Sequence, residues 1–244
     1  MAKQSGLGDN FYVGSYDLSG DIAAIGTVGG SVGVLDKTGI NKFGYERIGG
    51  LRTGNMEFTS HFNDADNQEH EAFSSLPTTD VILSYFRGTT LGNPAASMVA
   101  KQIDYNGSRS DDGDLKFNVT AQSNGFGLEW GRSLTAGLRT DTEATNGTAI
   151  DTTASASFGG QAYLHVTAFT GTDCTITVED SADNITFATV DSFTVVSGVT
   201  SERIVLGTTT ETLDRYVRVS TTAGTFSSVT FAVNLVKNTA AVNF

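Results

Sequence analysis

Residues 111–130 read DDGDLKFNVTAQSNGFGLEW, and their spacing decides the fold class. Leu115, Phe117, Val119 and Ala121 alternate strictly with Lys116, Asn118, Thr120 and Gln122. A period of two is that of a β-strand with one dry face and one wet face. The wet face holds one charge and three amides or hydroxyls, and no reactive pair. The same design recurs along the chain. Met56, Phe58 and Phe62 alternate with Glu57, Thr59 and His61, and Val81–Phe86 is apolar on both faces.

The surrounding composition agrees. The 244 residues include 28 Gly and only 2 Pro, and short Val, Ile, Phe and Thr runs are cut by Gly, Asn, Asp and Ser. This predicts a mostly β protein with many tight turns. Strands are expected at Phe11–Val13, Ile22–Ile25, Val81–Phe86, Ser97–Tyr105, Leu115–Ser123 and Phe126–Leu134. NGSRSDDG (106–113) is expected to join two of them in a long hairpin. Residues 26–50 hold eight glycines, and their centre is expected to contain a helical turn. Asp64–Leu76 is the helix expected from its signals: Asp66 as cap, Glu69 three residues on, Pro77 as stop.

Three regions are expected. A first domain covers 1–140, with a loose N-terminal arm over about 1–20 and a loop over about 26–54. Residues 141–154 are polar, small and Thr/Ala-rich and read as a linker. A second domain covers 155–244. Its alternating runs, spaced by about ten residues, predict a β-sandwich of seven or eight strands.

The net charge of −12 excludes an ordinary phosphate binder, which needs a basic surface. The acidity is spread along the chain. Before Ile150 stand 11 Lys and Arg against 18 Asp and Glu, or −7; after it, 4 against 9, or −5. Cys174 is the single cysteine, so no intrachain disulfide is expected. No apolar signal region and no apolar run of membrane length are visible, so synthesis in a host cytoplasm and no membrane contact are expected. Four Asn-x-Ser/Thr sequons, at Asn106, Asn118, Asn146 and Asn184, follow from Thr-rich composition.

Reactive constellations are missing from the sequence. His61, His70 and His165 are scattered and lack the spacing of a zinc site. Cys174 has core parity and no basic partner. The acidic runs 64–69 and 111–114 do not follow a calcium-loop pattern; a helix start and a turn account for them. Glu57 and Glu129 are not placed together by any spacing, as a glycosidase pair must be. Trp130 shares parity with Phe126 and Leu128 and is expected in the core. The expectation is no enzyme, no metal and no cofactor.

Four phrases carry a family resemblance: SGLGDNFYVGSYDLSGDIAAIG, FGYERIGGLRTGNMEFTSHFN, LPTTDVILSYFRGTTLGNPAASMVAKQIDYN and DGDLKFNVTAQSNGFGLEWGRSLT. Over about residues 1–145 the chain resembles the major tail (tail tube) proteins of phages with long, non-contractile tails. Residues 155–238 are similar to the accessory decoration β-sandwich, often immunoglobulin-like, that such proteins can carry at the C-terminus. The resemblance implies a tail-tube β-sandwich or barrel with a flanking helix. It implies homo-oligomerisation into stacked hexameric rings in the virion tail, with genomic DNA passing through the lumen without specific binding. Tail tip, tape measure and terminator proteins are the further partners. Under it the lumen-facing candidates are Glu57, Thr59, His61, Lys116, Asn118, Thr120 and Gln122. The ring-stacking candidates are Phe11, Tyr12, Tyr16, Arg47 and Arg52. The alternative is a virion decoration or carbohydrate-binding module, with Tyr163, Phe187, Tyr216 and Phe226 as the aromatic candidates.

Overall fold

The computed structural model describes residues 5–207 and 211–242. Residues 1–4 of the expected arm, and 208–210 and 243–244 of the expected second sandwich, lie outside them. The chain is nearly all β, as the period-two pattern predicts.

The first ten elements are β1 (Asn10–Val13), β2 (Tyr16–Asp17), β3 (Ile22–Asp36), β4 (Arg47–His61), α1 (Glu69–Phe73), β5 (Val81–Phe86), β6 (Pro94–Gln102), β7 (Asn106–Arg109), β8 (Leu115–Ser123) and β9 (Glu129–Ser133). Antiparallel pairing runs β2–β1–β5–β6. Strand β6 then changes partner: Pro94–Ser97 pair with β9, while Ala100–Gln102 pair with β8. Beyond β8 come β4 and then β3. Phe11, Met56, Phe58, Phe73, Met98 and Val119 fill the core under α1. The Phe11 and Phe58 rings lie 4.7 Å apart, and Phe58 and Phe73 lie 5.4 Å apart.

Several local expectations need correction. The arm is not loose over its whole length, because Asn10–Val13 pair with β5 inside the sheet. The glycine-rich 26–50 segment has no helical turn. It lies in a paired two-stranded ribbon, β3 against β4, whose end is closed by Lys37 N donating to Glu46 O at 2.8 Å. Its glycines serve close approach. A Cβ on Gly54 would stand 2.5 Å from the Leu128 nitrogen, where the 125–128 loop crosses the ribbon. The helix is shorter than expected and starts later. Asn67 has φ 61°, which breaks a right-handed path from Asp66. Gln68 takes the cap position, and Asp21 Oδ2 accepts the Glu69 N–H at 3.1 Å. NGSRSDDG does not join β6 to β8; residues 106–109 form β7, which turns directly onto β8.

The remaining strands are β10 (Arg139–Asp141), β11 (Ile150–Asp151), β12 (Gly160–Ser181), β13 (Ala188–Ser192), β14 (Thr200–Leu206) and β15 (Tyr216–Lys237). The alternating runs expected as separate strands fuse. Strands β12 and β15 have 22 residues each and pair along their whole length. Bulges between Val166 and Thr175 bend this ribbon without ending it. Gly171 and Gly224 sit at the bend, where a Cβ would come within 2.5 Å of Phe226 Cα and 2.3 Å of Asp173 O. Inward residues from both arms of the bend, including Leu164, Val166, Ile176, Val178, Val219 and Phe231, form one core.

Residues 141–154 are held along the outer edge of β15. Ile150 pairs with Val217, and Asn146 bridges to Ser220. Arg139 pins this path, donating to both Asp141 carboxylate oxygens (2.8 and 2.6 Å), to Val219 O (2.9 Å) and to Thr145 O (2.8 Å).

Strand β5 is covered on both sides. Leu83 enters the first core, while Ile82 packs with Tyr163 and Val236, and Phe86 with Tyr12, Ala95 and Ala232. The N-terminal sheet therefore rests on the outer face of β12 and β15.

Candidate functional site

Pairing of β4 with β8 sets Glu57 opposite Thr120, Thr59 opposite Asn118, and His61 opposite Lys116, with Asn55 opposite Gln122. All seven sequence-derived lumen candidates fall on this one face and are exposed or half-buried. The other face of the same ladder, Met56, Phe58, Ser60, Val119 and Ala121, is buried. Polar contacts organise the open face. Thr59 Oγ1 donates to Asn118 Oδ1 at 2.8 Å. Asn55 Nδ2 and Thr27 Oγ1 donate to the two Glu57 carboxylate oxygens at 2.6 and 3.2 Å. The Lys116 ammonium lies 2.5 Å from Asp114, and His61 Nδ1 lies 3.7 Å from the same carboxylate. The one lysine on this face is thus paired with an acid and offers no isolated cation to a phosphate.

At the other end of β4 the ribbon projects as an arm. Arg47 and Arg52 are exposed on it, and Arg47 lies over the Tyr45 ring, 4.4 Å from its centroid. Tyr16 is half-buried at the edge of the sheet, where its hydroxyl donates to Glu71 at 3.4 Å. Phe11 and Tyr12, expected at contacts between subunits, are 2% and 0% exposed. They belong to the chain's own cores, because β1 is an interior strand and not a free arm. Burial also pushes the Tyr12 hydroxyl up to about 12.

Two buried polar clusters were not legible in the sequence. Under α1, the Glu69 carboxylate accepts from Ser60 Oγ at 2.7 Å and from the Tyr105 hydroxyl at 3.1 Å. His70 Nδ1 lies 2.9 Å from the same tyrosine oxygen. Burial, then the Glu69 charge, raises the Tyr105 hydroxyl above the usual tyrosine range. Between the two halves, Glu129 contacts the Tyr163 hydroxyl and lies 3.4 Å from the Arg203 guanidinium, which stacks on Phe126 at 3.8 Å. A buried cluster needs partners from distant strands, and a period-two pattern does not name them.

The remaining candidates are placed as follows. Glu57 stands on the open β4–β8 face and Glu129 inside the joint, so they do not form a pair across a cleft. Trp130 is 51% exposed, against the expectation of a core residue. Strand β9 starts at Glu129, and it is Glu129 whose side chain turns inward. Cys174 is buried, and burial, followed by Asp141 and Asp173, pushes its thiol up to about 11. A thiol so shifted is a poor nucleophile near neutral pH. Of the aromatic candidates, Tyr163 is fully buried, Phe187 lies 3.9 Å under the Arg218 guanidinium, Tyr216 lies under Arg215 at 5.0 Å, and Phe226 packs on the C-terminal core. No helix among the described residues is long and apolar enough to cross a membrane. No group of three or more His, Cys, Asp or Glu among them is arranged to hold a metal ion.

No protein-family model and no curated protein matches the chain. Among solved structures, it is similar to a chain in the virion of a native gene transfer agent particle, at 14% identity and a TM-score of 0.43. That match covers 52% of this chain and 98% of the other. A chain from the tail of an empty gene transfer agent particle, refined with C6 symmetry, matches at 16% identity and 0.40, with the same coverage. The SPP1 Dit protein, described as a hub of the adsorption apparatus in phages infecting Gram-positive hosts, matches at 9% identity and 0.34. There the match covers 93% of this chain and 98% of the other.

Proposed function

We propose that this protein is a structural subunit of the tail tube of a phage with a long, non-contractile tail. Six copies form a ring, and rings stack into a tube inside which DNA travels during ejection. The β4–β8 face lines the lumen, residues 155–244 form a sandwich on the outside that stays joined to the N-terminal sheet through the β15–β9 pairing, and the tail tip, tape measure and terminator proteins are its virion partners.

The observation that carries this reading is the asymmetry of the β4–β8 ladder. One face is closed by the subunit's own core and the other is a continuous polar surface with its lysine neutralised by Asp114. Among the described residues, strand β3, beside it, pairs only with β4 and leaves its other edge open. An open edge is an invitation to pair with another chain, and closure into a ring of sheets removes it. A wall without free cations on a chain of net charge −12 repels phosphates, so DNA slides without the counterion release that fastens basic proteins to it. The phrase-level resemblance over residues 1–145 supports the same reading.

Negative-stain electron microscopy of concentrated full-length protein, with tail-tip complexes added as nucleators, tests it. Hollow rings or tubes are expected. Small particles without a lumen under all these conditions would overturn it.

A further inference from the structure

Trp130 is the only tryptophan in the chain, and it stands half in solvent. Its indole N–H has no partner among the described residues. An open tryptophan with an unused donor offers a ligand both an apolar plate and a polar tip. Its placement is fixed by the fold. Gly131 lets β9 lie hard against β15, because a Cβ there would collide with the Leu235 carbonyl oxygen. Trp130 and Arg132, on either side of that glycine, are both exposed on one face of β9, about 7 Å apart along the strand.

Three cavities meet around this ring. One of about 320 Å³ runs from Trp130 and Arg132 to the 152–156 loop and Lys237. One of about 190 Å³ runs from Trp130 to Arg52. A third, of about 680 Å³, leads from Arg52 back to Lys237. Among the described residues their walls hold three cations, Arg52, Arg132 and Lys237, and no Asp or Glu, on a chain of net charge −12. Asp151, beside the loop, has both carboxylate oxygens on Arg215, at 2.8 and 2.6 Å. Arg132 uses one N–H on Gly92 O at 3.3 Å, and Arg52 has no ion-pair partner among the described residues.

The wall across from Trp130 is held firmly. Thr153 has φ 76°, a left-handed conformation that a β-branched residue rarely adopts. Asp151 accepts its N–H at 2.7 Å, and the Lys237 ammonium donates to Thr152 Oγ1 and Ala154 O on either side of it, at 2.9 and 2.7 Å. The third Lys237 proton goes to Asp214 O at 2.6 Å. Lys237 therefore fixes the wall, and Arg132 and Arg52 are the cations left to meet a ligand. Strain kept in place by its neighbours is found at ligand clamps.

We propose that this groove binds an acidic saccharide. The apolar face of a sugar ring lies on the indole, Ser155 and Thr239 meet its hydroxyls, and the carboxylate of a uronic acid meets the Arg132 fork. A nucleic-acid strand fits less well. It needs a row of stacking rings, and Phe126, the other ring in the groove, is engaged under the Arg203 guanidinium at 3.8 Å. The site stands apart from the β4–β8 face, so it adds a binding activity to the tube reading and does not depend on it.

Trp130 reports its own occupancy, because no other tryptophan emits. Full-length protein is titrated with hexagalacturonate, with maltohexaose as the neutral control and a DNA oligonucleotide as the polyanion control. Hexagalacturonate is expected to change the emission saturably, and the two controls are not. Arg132→Gln is expected to weaken binding roughly tenfold, and Trp130→Ala, followed by calorimetry, to abolish it. Both side chains are exposed, so the fold is retained, as a melting curve checks. Absence of a saturable change with hexagalacturonate, an equal response to DNA or to maltohexaose, or full binding by Trp130→Ala would each overturn the proposal. Tubes whose subunits bind no sugar would sink this proposal alone. Sugar binding by protein that never forms tubes would sink the tube reading alone.

Discussion

His165 Nε2 lies 2.7 Å from Ser84 Oγ, and through this contact the C-terminal half is bonded to the N-terminal sheet. His165 Nδ1 donates to Gly14 O at 2.7 Å, which leaves Nε2 as the acceptor of the Ser84 hydroxyl proton. Ser84 then accepts from Ser97 at 2.6 Å, and Ser97 accepts from Asn234 Nδ2 at 2.8 Å. Four side chains and one carbonyl, all inside the molecule, form a chain with a single direction. Such networks are costly to leave half-made, so they fix how the two halves meet.

This contact makes stability depend on pH. Burial lowers the His165 imidazole from 6.5 to about 4, although the Gly14 carbonyl pulls the other way. The unfolded chain takes up a proton near pH 6.5, and the folded chain only near 4. Stability therefore falls as pH drops from 6.5 to 4, by about 3 kcal/mol in total. Urea unfolding at stepped pH should show this slope. His165→Gln, which can still donate and accept, should remove it and lower stability at pH 7.

The joint also predicts the behaviour of a fragment. Cutting the chain at Asp151 uncovers Ile82 and Phe86 and strips Ser84 of its histidine. We expect residues 1–150 alone to aggregate or melt well below the full chain, as light scattering and circular dichroism would show.

Glu129→Ala removes the carboxylate that accepts from the buried Tyr163 hydroxyl and lies 3.4 Å from Arg203. Leaving a buried donor without its acceptor costs about 1–3 kcal/mol. A large drop in the urea midpoint with an unchanged slope is expected, and a drop below about 1 kcal/mol would refute the assignment.

Gly54→Ala tests the crossing of the 125–128 loop over the ribbon. The new methyl would stand 2.5 Å from the Leu128 nitrogen and 2.8 Å from its Cβ, so the loop must move. A loss of about 2 kcal/mol is expected. Gly44→Ala, with open space around its Cβ, should cost much less on the same assay.

On the β4–β8 face, Thr59→Lys with Asn118→Lys replaces a hydrogen-bonded pair by two cations. Tubes should still form, and phage carrying the change should eject DNA more slowly, most clearly at low salt where phosphate attraction is strongest. Equal ejection rates would remove this face from the DNA path.

How much was legible follows from what each signal measures. Leu115–Gln122 and Met56–His61 announce their faces, because alternation reports a strand with one side dry. The arm was hidden because its glycines mask the pattern, and its apolar residues are exposed in the single chain. The runs 162–168 and 174–178 looked like two strands because bulges shift parity at the bend. Phe11 and Tyr12 are aromatic near an N-terminus and gave no sign of lying between β2 and β5. Glu69, His165 and Glu129 are polar residues at buried positions, and only their distant partners explain them.

The most direct test of the account is cryo-electron microscopy of assembled Asn118→Cys protein carrying a gold-cluster maleimide. Cys174 is buried with a raised thiol, so the label goes to position 118. The account predicts hollow tubes with extra density inside the lumen at every ring. Tubes with the gold on their outer wall would contradict it.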